Sequence, residues 1–538
     1  MAFTKTPEVS TYKTVRFPFV GAFNTRNATG DKDQRYINCF PESVKSSLTK
    51  GQRIYLIKRP GLTPSITLTA GTARGCFYWN NKVYSVVGDK VYSNTTNILT
   101  LSTSTGTCGF TAANGTVDYL FLCDGTNGYV INTSDVVTQI NVTYTAWAST
   151  TAYTVGQRRI PTVANSLYYE VTVAGTSAGA QPTWPTIVGD TVVDGTVTWT
   201  CKGYYGGFPT PHVPTPVYAD GYIFLAQASS GDIYNSDLDD PQSWQTDSFI
   251  TAEMYPDNIV ALSRQNNQVV AFGEGSTEFF YDAANPTGSP LARNDGAAQQ
   301  VGCMAKDSVV SFERTMFFLG QSGIGGHSVW SIDGFKPVKI SLEWVDRALD
   351  AEGSSVSNVK AMLIRISGHQ FYVINLTSRT LVYDAEEKMW SEWSSNNSGS
   401  HSVFKCSYSC DSPGYGLMQH NTNGKIYQFN PTIYQDDGTN ILVEAITSPI
   451  DFETINQKTI NRLSLVCDKT SASTLAYLSY SKDDYNTWST ARPVDLSLRP
   501  FLTRFAGRFR RLDIKLTYAD NYPFRVEDLE IDYNMGIH

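Results

Sequence analysis

Short runs of β-branched and aromatic residues, each closed by a turn, set the rhythm of this chain. They are clearest between residues 216 and 330. There the runs 217–225, 232–234, 260–262, 269–272, 278–281, 309–312, 316–319 and 329–332 alternate with Asp-Gly, Gly-Asp, Asn-Asn or Gly-rich turns. Such short runs lack the apolar period of a helix, and the turn dipeptides are those of β-hairpins. Hairpins at near-regular spacing point to a repeat architecture.

The same pattern starts near residue 72, after a mixed lead-in over 1–70 that holds a candidate strand at 12–19, an extended stretch at 33–41 and a Pro-Gly turn at 60–61. One unit covers 76–92, with turns at Asn80-Asn81 and Gly88-Asp89. A second covers 108–131, with turns at Asn114-Gly115 and Asp124-Gly125. The third begins only near 216, and residues 144–206 between them differ in texture, rich in Thr, Ala, Gly and Trp. Removing roughly 65 residues restores a spacing of about 43, the spacing of the later units, so a small module is inserted between two repeats. Later units start near 259, 303, 359 and 401. The sixth is delayed by 341–353, where Leu342, Val345 and Leu349 share a helical face and Gly353 ends the turn.

Radial arrays of three- or four-stranded units of about 40 residues are β-propellers. Seven units can be counted. Six stays open, because a propeller commonly closes by pairing a terminal strand with its other end. Beyond Asp436-Asp437-Gly438 the strands lengthen and alternate (441–445, 461–467, 474–480, 509–518 and 526–533), which fits a separate β-sandwich. The expected organisation is therefore all-β: a lead-in (1–70), a propeller in two parts (71–143 and 207–438), an inserted aromatic-rich β module (144–206) and a C-terminal sandwich (439–538).

Composition agrees with an all-β chain and adds limits. At 41% hydrophobic and 17% charged residues, the 538-residue chain can bury large cores, and 31 Tyr and 26 Phe favour strands. The net charge of −8 disfavours a nucleic-acid binder held by a basic surface, yet suits walls past which DNA slides without sticking. Nine scattered cysteines, of which only Cys406 and Cys410 are close in sequence, read as reduced buried thiols rather than a metal or disulfide framework. Met1-Ala-Phe-Thr-Lys5 has no signal-peptide pattern and no run reaches membrane-spanning length, so a protein made in a reducing cytoplasm and not inserted in a membrane is expected.

Enzyme signatures are missing: there is no G-x-S-x-G, no phosphate-binding Gly-Lys loop and no H-E-x-x-H. Catalytic, cofactor and metal residues are therefore expected to be none. The six histidines (212, 327, 369, 401, 420 and 538) show no ligand spacing and read as surface or turn residues. The stretch 235–246 imitates a calcium loop but lacks the central Gly and the final Glu, so an Asx-rich turn is preferred. Asp483-Asp484 and Glu386-Glu387 could serve a glycosidase only across a cleft, and solvated turns are the default reading. Two groups stay open between a binding and a structural role. Trp147, Tyr153, Tyr169, Trp184 and Trp199 could stack on sugar rings or contact a partner, or could form the core a small module needs. Arg508, Arg510 and Arg511, preceded by Arg504, could meet phosphate or a neighbouring subunit, or lie on a plain sheet surface; in one continuous strand Arg508 and Arg510 would share a face.

Several phrases are more specific. YNSDLDDPQSW at 234–244, GSTEFFY at 275–281, GCMAKDS at 302–308, RYIN at 35–38 with Pro41-Glu42, and RPGL at 59–62 resemble the packaged-DNA stabilisation (tail nozzle) family of short-tailed bacteriophages, over about residues 15–140 and 210–435. SKDDYNTW at 481–488 and GRFRRL at 507–512 are similar to the terminal domain of such proteins. Within the insertion, Ala146-Trp147, Thr151-Ala-Tyr153, Gly156, AGTS at 174–177, PTWP at 182–185 and DGTVTW at 194–199 resemble a small phage module related to chitin-binding-type repeats. Many nozzle relatives lack this insertion. The resemblance implies a non-enzymatic ring in the virion tail, usually six-fold, hung below portal and adaptor proteins. Such a ring extends the DNA channel with transient duplex contact, helps retain the genome, and docks fibre, spike or needle proteins. A carbohydrate-binding or glycan-degrading virion propeller is the rival reading, and a propeller interaction scaffold of host type the third.

Overall fold

The computed structural model describes residues 13–20, 34–45, 52–312, 314–322, 326–499, 501–503 and 507–536. Met1–Lys5, Tyr12, Asp33, Arg504 and His538 lie outside the described residues. Seven antiparallel sheets follow one another, spanning 73–100, 109–139, 217–251, 259–293, 301–339, 360–397 and 406–430. The seventh gains its fourth strand, Gly61–Thr67, from the other end of the chain, antiparallel to Lys425–Asn430. The propeller thus has seven blades and closes by the terminal pairing on which the count of six depended.

Local chemistry explains the hairpins. Asn80-Asn81, Asp220-Gly221 and Ser367-Gly368 each place two successive residues at positive φ, between the paired ends Trp79↔Lys82, Ala219↔Tyr222 and Ile366↔His369. Two-residue turns of this type match the twist of antiparallel strands, and Asn, Asp and Gly tolerate that backbone best. Packing explains the apolar runs. In Asp118–Cys123 and Thr380–Asp384 five successive side chains are buried, because each blade is covered on both faces by its neighbours. Every blade–blade interface accordingly has its own apolar core. The helix expected after the fifth blade is Glu343–Glu352, with Val345 and Leu349 buried against Val329 and Val359 of the fifth-to-sixth interface.

Outside the propeller the organisation departs from the expected order. The lead-in does not stand apart. Lys13–Pro18, Cys39–Lys45 and Gln52–Lys58 join Lys458–Cys467, Leu502–Thr503, Arg508–Phe509 and Arg525–Met535 in one sheet. Arg35–Ile37 joins Val443–Ile446, Leu475–Ser481, Arg492–Asp495 and Asp513–Tyr518 in the other, and the two faces enclose a core that includes Tyr36, Leu56, Leu463, Leu516 and Ile531. The sandwich is therefore built from both ends of the chain. Arg35–Ile37 also pairs in parallel with Met389–Asn397, the outer strand of the sixth blade, so blade and sandwich share one ten-stranded sheet. The expected strand 509–518 is split at a corner: Arg508–Phe509 lies in the first sheet and Asp513–Tyr518 in the second.

Residues 144–206 form a four-stranded sheet with a two-stranded companion, Ala152–Tyr153 beside Gly175–Thr176. Among the described residues no helix is long and apolar enough to cross a membrane.

Candidate functional site

The structure brings the five aromatic candidates of the insertion together, but inward. Trp147, Tyr153, Tyr169, Trp184 and Trp199 form one cluster with Leu167, Val171, Val197 and Cys201, and none is more than 9% exposed. Trp184 lies with its ring centroid 4.3 Å from Tyr169 and 5.6 Å from Trp199, the tilted and edge-on arrangements aromatic rings prefer. The buried Asp194 carboxylate accepts hydrogen bonds from Trp147 Nε1 (2.7 Å), Trp199 Nε1 (3.1 Å) and the Ala178 N–H (2.8 Å). With their faces occupied by each other, these rings offer nothing to a sugar, and the glycan reading of these five residues is corrected to a core reading. A sheet of this size has little else from which to build an interior.

The arginines are placed differently from expectation. Arg508, Arg510 and Arg511 are all exposed, while Phe509 between them is buried. Because the strand breaks at the corner, Arg508 and Arg510 share no strand face. Arg510 donates to the Ile455 carbonyl (3.0 Å), and its own carbonyl accepts from the buried Lys458 ammonium (2.7 Å).

The other candidates resolve as structure. In the calcium-like stretch, Asp237 accepts from Ser243 Oγ and Gln245 Nε2 (2.6 Å each) and Asp239 from Thr116 Oγ1 (2.8 Å), an Asx-type turn tied to the neighbouring blade. Asp483 binds the Thr487 backbone and hydroxyl and the Ser481 hydroxyl; these bonds hold its carboxyl down at about 2. Glu387 accepts from the Ser43 N–H and hydroxyl. Two histidines are not surface residues. His212 is 3% exposed, bonded to Gly125 N–H and the Pro209 carbonyl, and burial pulls it down to about 4. His369 is 7% exposed and bonds Asp384 Oδ2 at 2.7 Å. All nine cysteines are free thiols and eight are buried.

Two arrangements had no sequence signal, since their members come from distant parts of the chain. The first lies on the propeller axis. Thr107, at the start of the second blade, donates to Asp307 Oδ2 of the fifth (2.5 Å) and lies 3.1 Å from the Tyr408 hydroxyl of the seventh. The Lys360 ammonium of the sixth blade sits 4.6 Å from the Tyr408 ring centroid. Four blades thus meet side chain to side chain, and no duplex can thread the propeller itself. The second lies where propeller and sandwich join. Arg59, fully buried, donates to both oxygens of Asp436 (2.8 and 2.6 Å), to Asn38 Oδ1 (2.9 Å) and to the Ser394 carbonyl (3.2 Å). Arg35 adds two bonds to Glu392 of the sixth blade, 2.6 and 2.7 Å.

The structure is thus a closed seven-bladed propeller whose sixth-blade outer strand pairs with a sandwich strand, with side chains of four blades meeting at its centre. The chain belongs to the family described as bacteriophage P22 Gp10, β-propeller, which matches residues 20–434, and is thereby a virion-associated phage structural protein. The match distinguishes no separate family for 144–206, so the likeness of that module to chitin-binding-type repeats rests on the quoted phrases alone. No curated protein matches the chain. Among solved structures, a chain of the S. cerevisiae complex of Dbp5 with Nup159, Gle1, IP6 and ADP gives a TM-score of 0.34 at 9% identity, covering 70% of this chain and 95% of that one. PorZ, a type-IX secretion component of Porphyromonas gingivalis, gives 0.32 at 10% identity, covering 80% and 46%. A streptogramin B lyase gives 0.32 at 8%, covering 73% and 98%.

Proposed function

We propose that the protein is a non-catalytic tail nozzle subunit, several copies of which form a ring that prolongs the portal–adaptor channel, helps retain packaged DNA and docks distal fibre, spike or needle proteins. The blocked propeller axis carries this reading within the family: if DNA passes this protein, the passage lies between copies. A heterologous ring of identical subunits provides such a channel. The net charge of −8 suits a wall that duplex DNA touches weakly and without sequence preference. The shared ten-stranded sheet supports the same reading, because a subunit under the load of a packaged genome benefits from a rigid joint between its two domains.

The test is particle mass by light scattering, for the protein alone and with portal and adaptor components, followed by electron microscopy of assembled tails. A closed ring, usually six-fold, is expected. A single copy on the tail axis would overturn the proposal, as would tight, sequence-specific DNA binding at physiological salt.

A further inference from the structure

The seven blade interfaces are not equal. Six have substantial apolar clusters, that of the fifth and sixth blades extending from Phe312 through Tyr372 to Trp390. At the seam where the seventh blade meets the first the buried apolar residues divide into two smaller clusters, Cys76, Val83, Cys410, Leu417 and Ile426 in one and Leu68, Val87 and Tyr92 in the other. The chain itself crosses this seam, running from Gly61–Thr67 in the seventh blade into Ala73–Trp79 of the first. Two of the five members of the first cluster are cysteines, one on each side of the seam.

The backbones around these thiols are fixed. The Ala73 N–H donates to the Asn421 carbonyl (2.8 Å). Gln419 of the seventh blade accepts from the Gly75 N–H (3.3 Å) and donates to the Val86 carbonyl (2.9 Å), both in the first blade. Cys76 directly follows Gly75 on the innermost strand Ala73–Trp79. Cys410 lies on the innermost strand Cys406–Ser412, opposite Leu417. The two side chains meet across the seam.

We propose that Cys76 and Cys410 are a disulfide-forming pair that locks the propeller ring covalently once the protein leaves the reducing cytoplasm. The reaction is thiol–disulfide exchange with a small disulfide such as oxidised glutathione. One cysteine thiolate attacks the oxidant and releases a glutathione thiolate. The second cysteine then attacks the protein sulfur of the mixed disulfide and releases the other glutathione. The two thiol protons pass to the two released thiolates, so two cysteine thiols are oxidised and one glutathione disulfide is reduced to two glutathiones. The neighbouring Cys410 and burial raise the Cys76 pKa, which keeps that thiol protonated and slow to react while the seam is closed, so exchange proceeds when the seam opens. The product would join strands 334 positions apart in sequence, the kind of long loop whose closure constrains the unfolded chain most.

The full-length protein is incubated with oxidised glutathione or with dithiothreitol, quenched with N-ethylmaleimide in denaturant, digested without reduction and mapped by mass spectrometry. A peptide linking Cys76 to Cys410, a fall of two in the nine titratable thiols and a rise in Tm of several degrees on oxidation are expected. The Tm rise should vanish alike in Cys76→Ser and Cys410→Ala. Retention of all nine thiols in the oxidised wild-type protein would overturn the proposal, as would a disulfide mapped to any other pair; neither readout depends on a variant folding. A Tm rise that persists in both variants would overturn it too.

Discussion

The inserted module and the C-terminal sandwich are both small β units added to the same propeller, yet they are joined to it in opposite ways. The module is one contiguous stretch with a private core of nine buried residues around Trp199. Its contacts with the propeller are peripheral, such as the Tyr204 N–H to Ser243 Oγ (2.9 Å). The sandwich is interleaved: its strands come from 13–58 and 443–536, it shares a sheet with the sixth blade, and Arg59 and Arg35 bond across the joint. The contrast teaches that a change of composition in the sequence marks a separable unit only where the chain enters and leaves once. A unit drawing on both chain ends completes its fold only with the propeller between them.

The largest effect should follow from breaking the joint. Arg59→Met leaves the Asp436 carboxylate without its donor and Asn38 Oδ1 with the Ser394 N–H alone, and removing one partner of a buried ion pair costs about 3–5 kcal/mol. Chemical denaturation followed by tryptophan fluorescence should show that loss. A loss below about 1 kcal/mol would mean that the joint is held by sheet pairing alone and that the buried charges are dispensable.

A smaller, pH-dependent effect belongs to Lys58, the residue before Arg59 and the last of the strand Gln52–Lys58. Its ammonium donates to the Asp520 carbonyl (2.7 Å) and sits 5.0 Å from the Tyr518 ring centroid and 5.8 Å from that of Tyr434. Burial pulls its pKa down to about 7, helped by the Arg59 charge and opposed by Asp436 and Asp520. In the unfolded chain it returns to the usual lysine range. Between about pH 7 and 10 the unfolded state therefore holds the extra proton, and stability from this group rises with pH by a few kcal/mol in all. Lys58→Met should flatten that rise relative to the wild type across pH 7, 8 and 9, and parallel slopes would remove Lys58 from the account.

How much was legible follows from the same contrast. The blades could be read because each is a local unit, so turn dipeptides such as Asn80-Asn81 and two-faced apolar runs such as Asp118–Cys123 sit next to each other in sequence. The helix Glu343–Glu352 was legible for the same reason. That Gly61–Thr67 is the closing strand, and that the candidate strand at 12–19 belongs to the sandwich, were not, because pairing partners hundreds of residues away decide them; the corner at 510–512 is likewise set by partners some tens of residues away. The insertion's aromatics were seen as a group, but residue type alone could not choose between core and platform; Asp194, which accepts from two of their indoles, was the unread clue. The axial cluster of Thr107, Asp307, Lys360 and Tyr408 spans 301 positions and left no pattern to find.

The smallest effect on the propeller is expected from removing the module altogether. Its two ends lie together: the Tyr144 and Tyr205 rings meet edge to face with centroids 5.6 Å apart. On either side the main core resumes at once, with Ile140 and Phe208 both packed in the interface of the second and third blades and Phe208 5.1 Å from Trp244. Joining Val142 to Gly207 through a short Gly/Ser linker therefore removes a self-contained cluster and changes the propeller mainly by a loop-closure term, under about 1 kcal/mol. It also uncovers Ser243 Oγ, a hydroxyl that water can satisfy. The shortened chain should remain soluble, unfold with a Tm close to that of the parent and still assemble. Aggregation, or a soluble chain unable to form rings, would show that the module buttresses the second and third blades. Retained assembly would place the difference between the two appended units on a thermodynamic footing, the module carrying its own stability and the sandwich sharing that of the propeller.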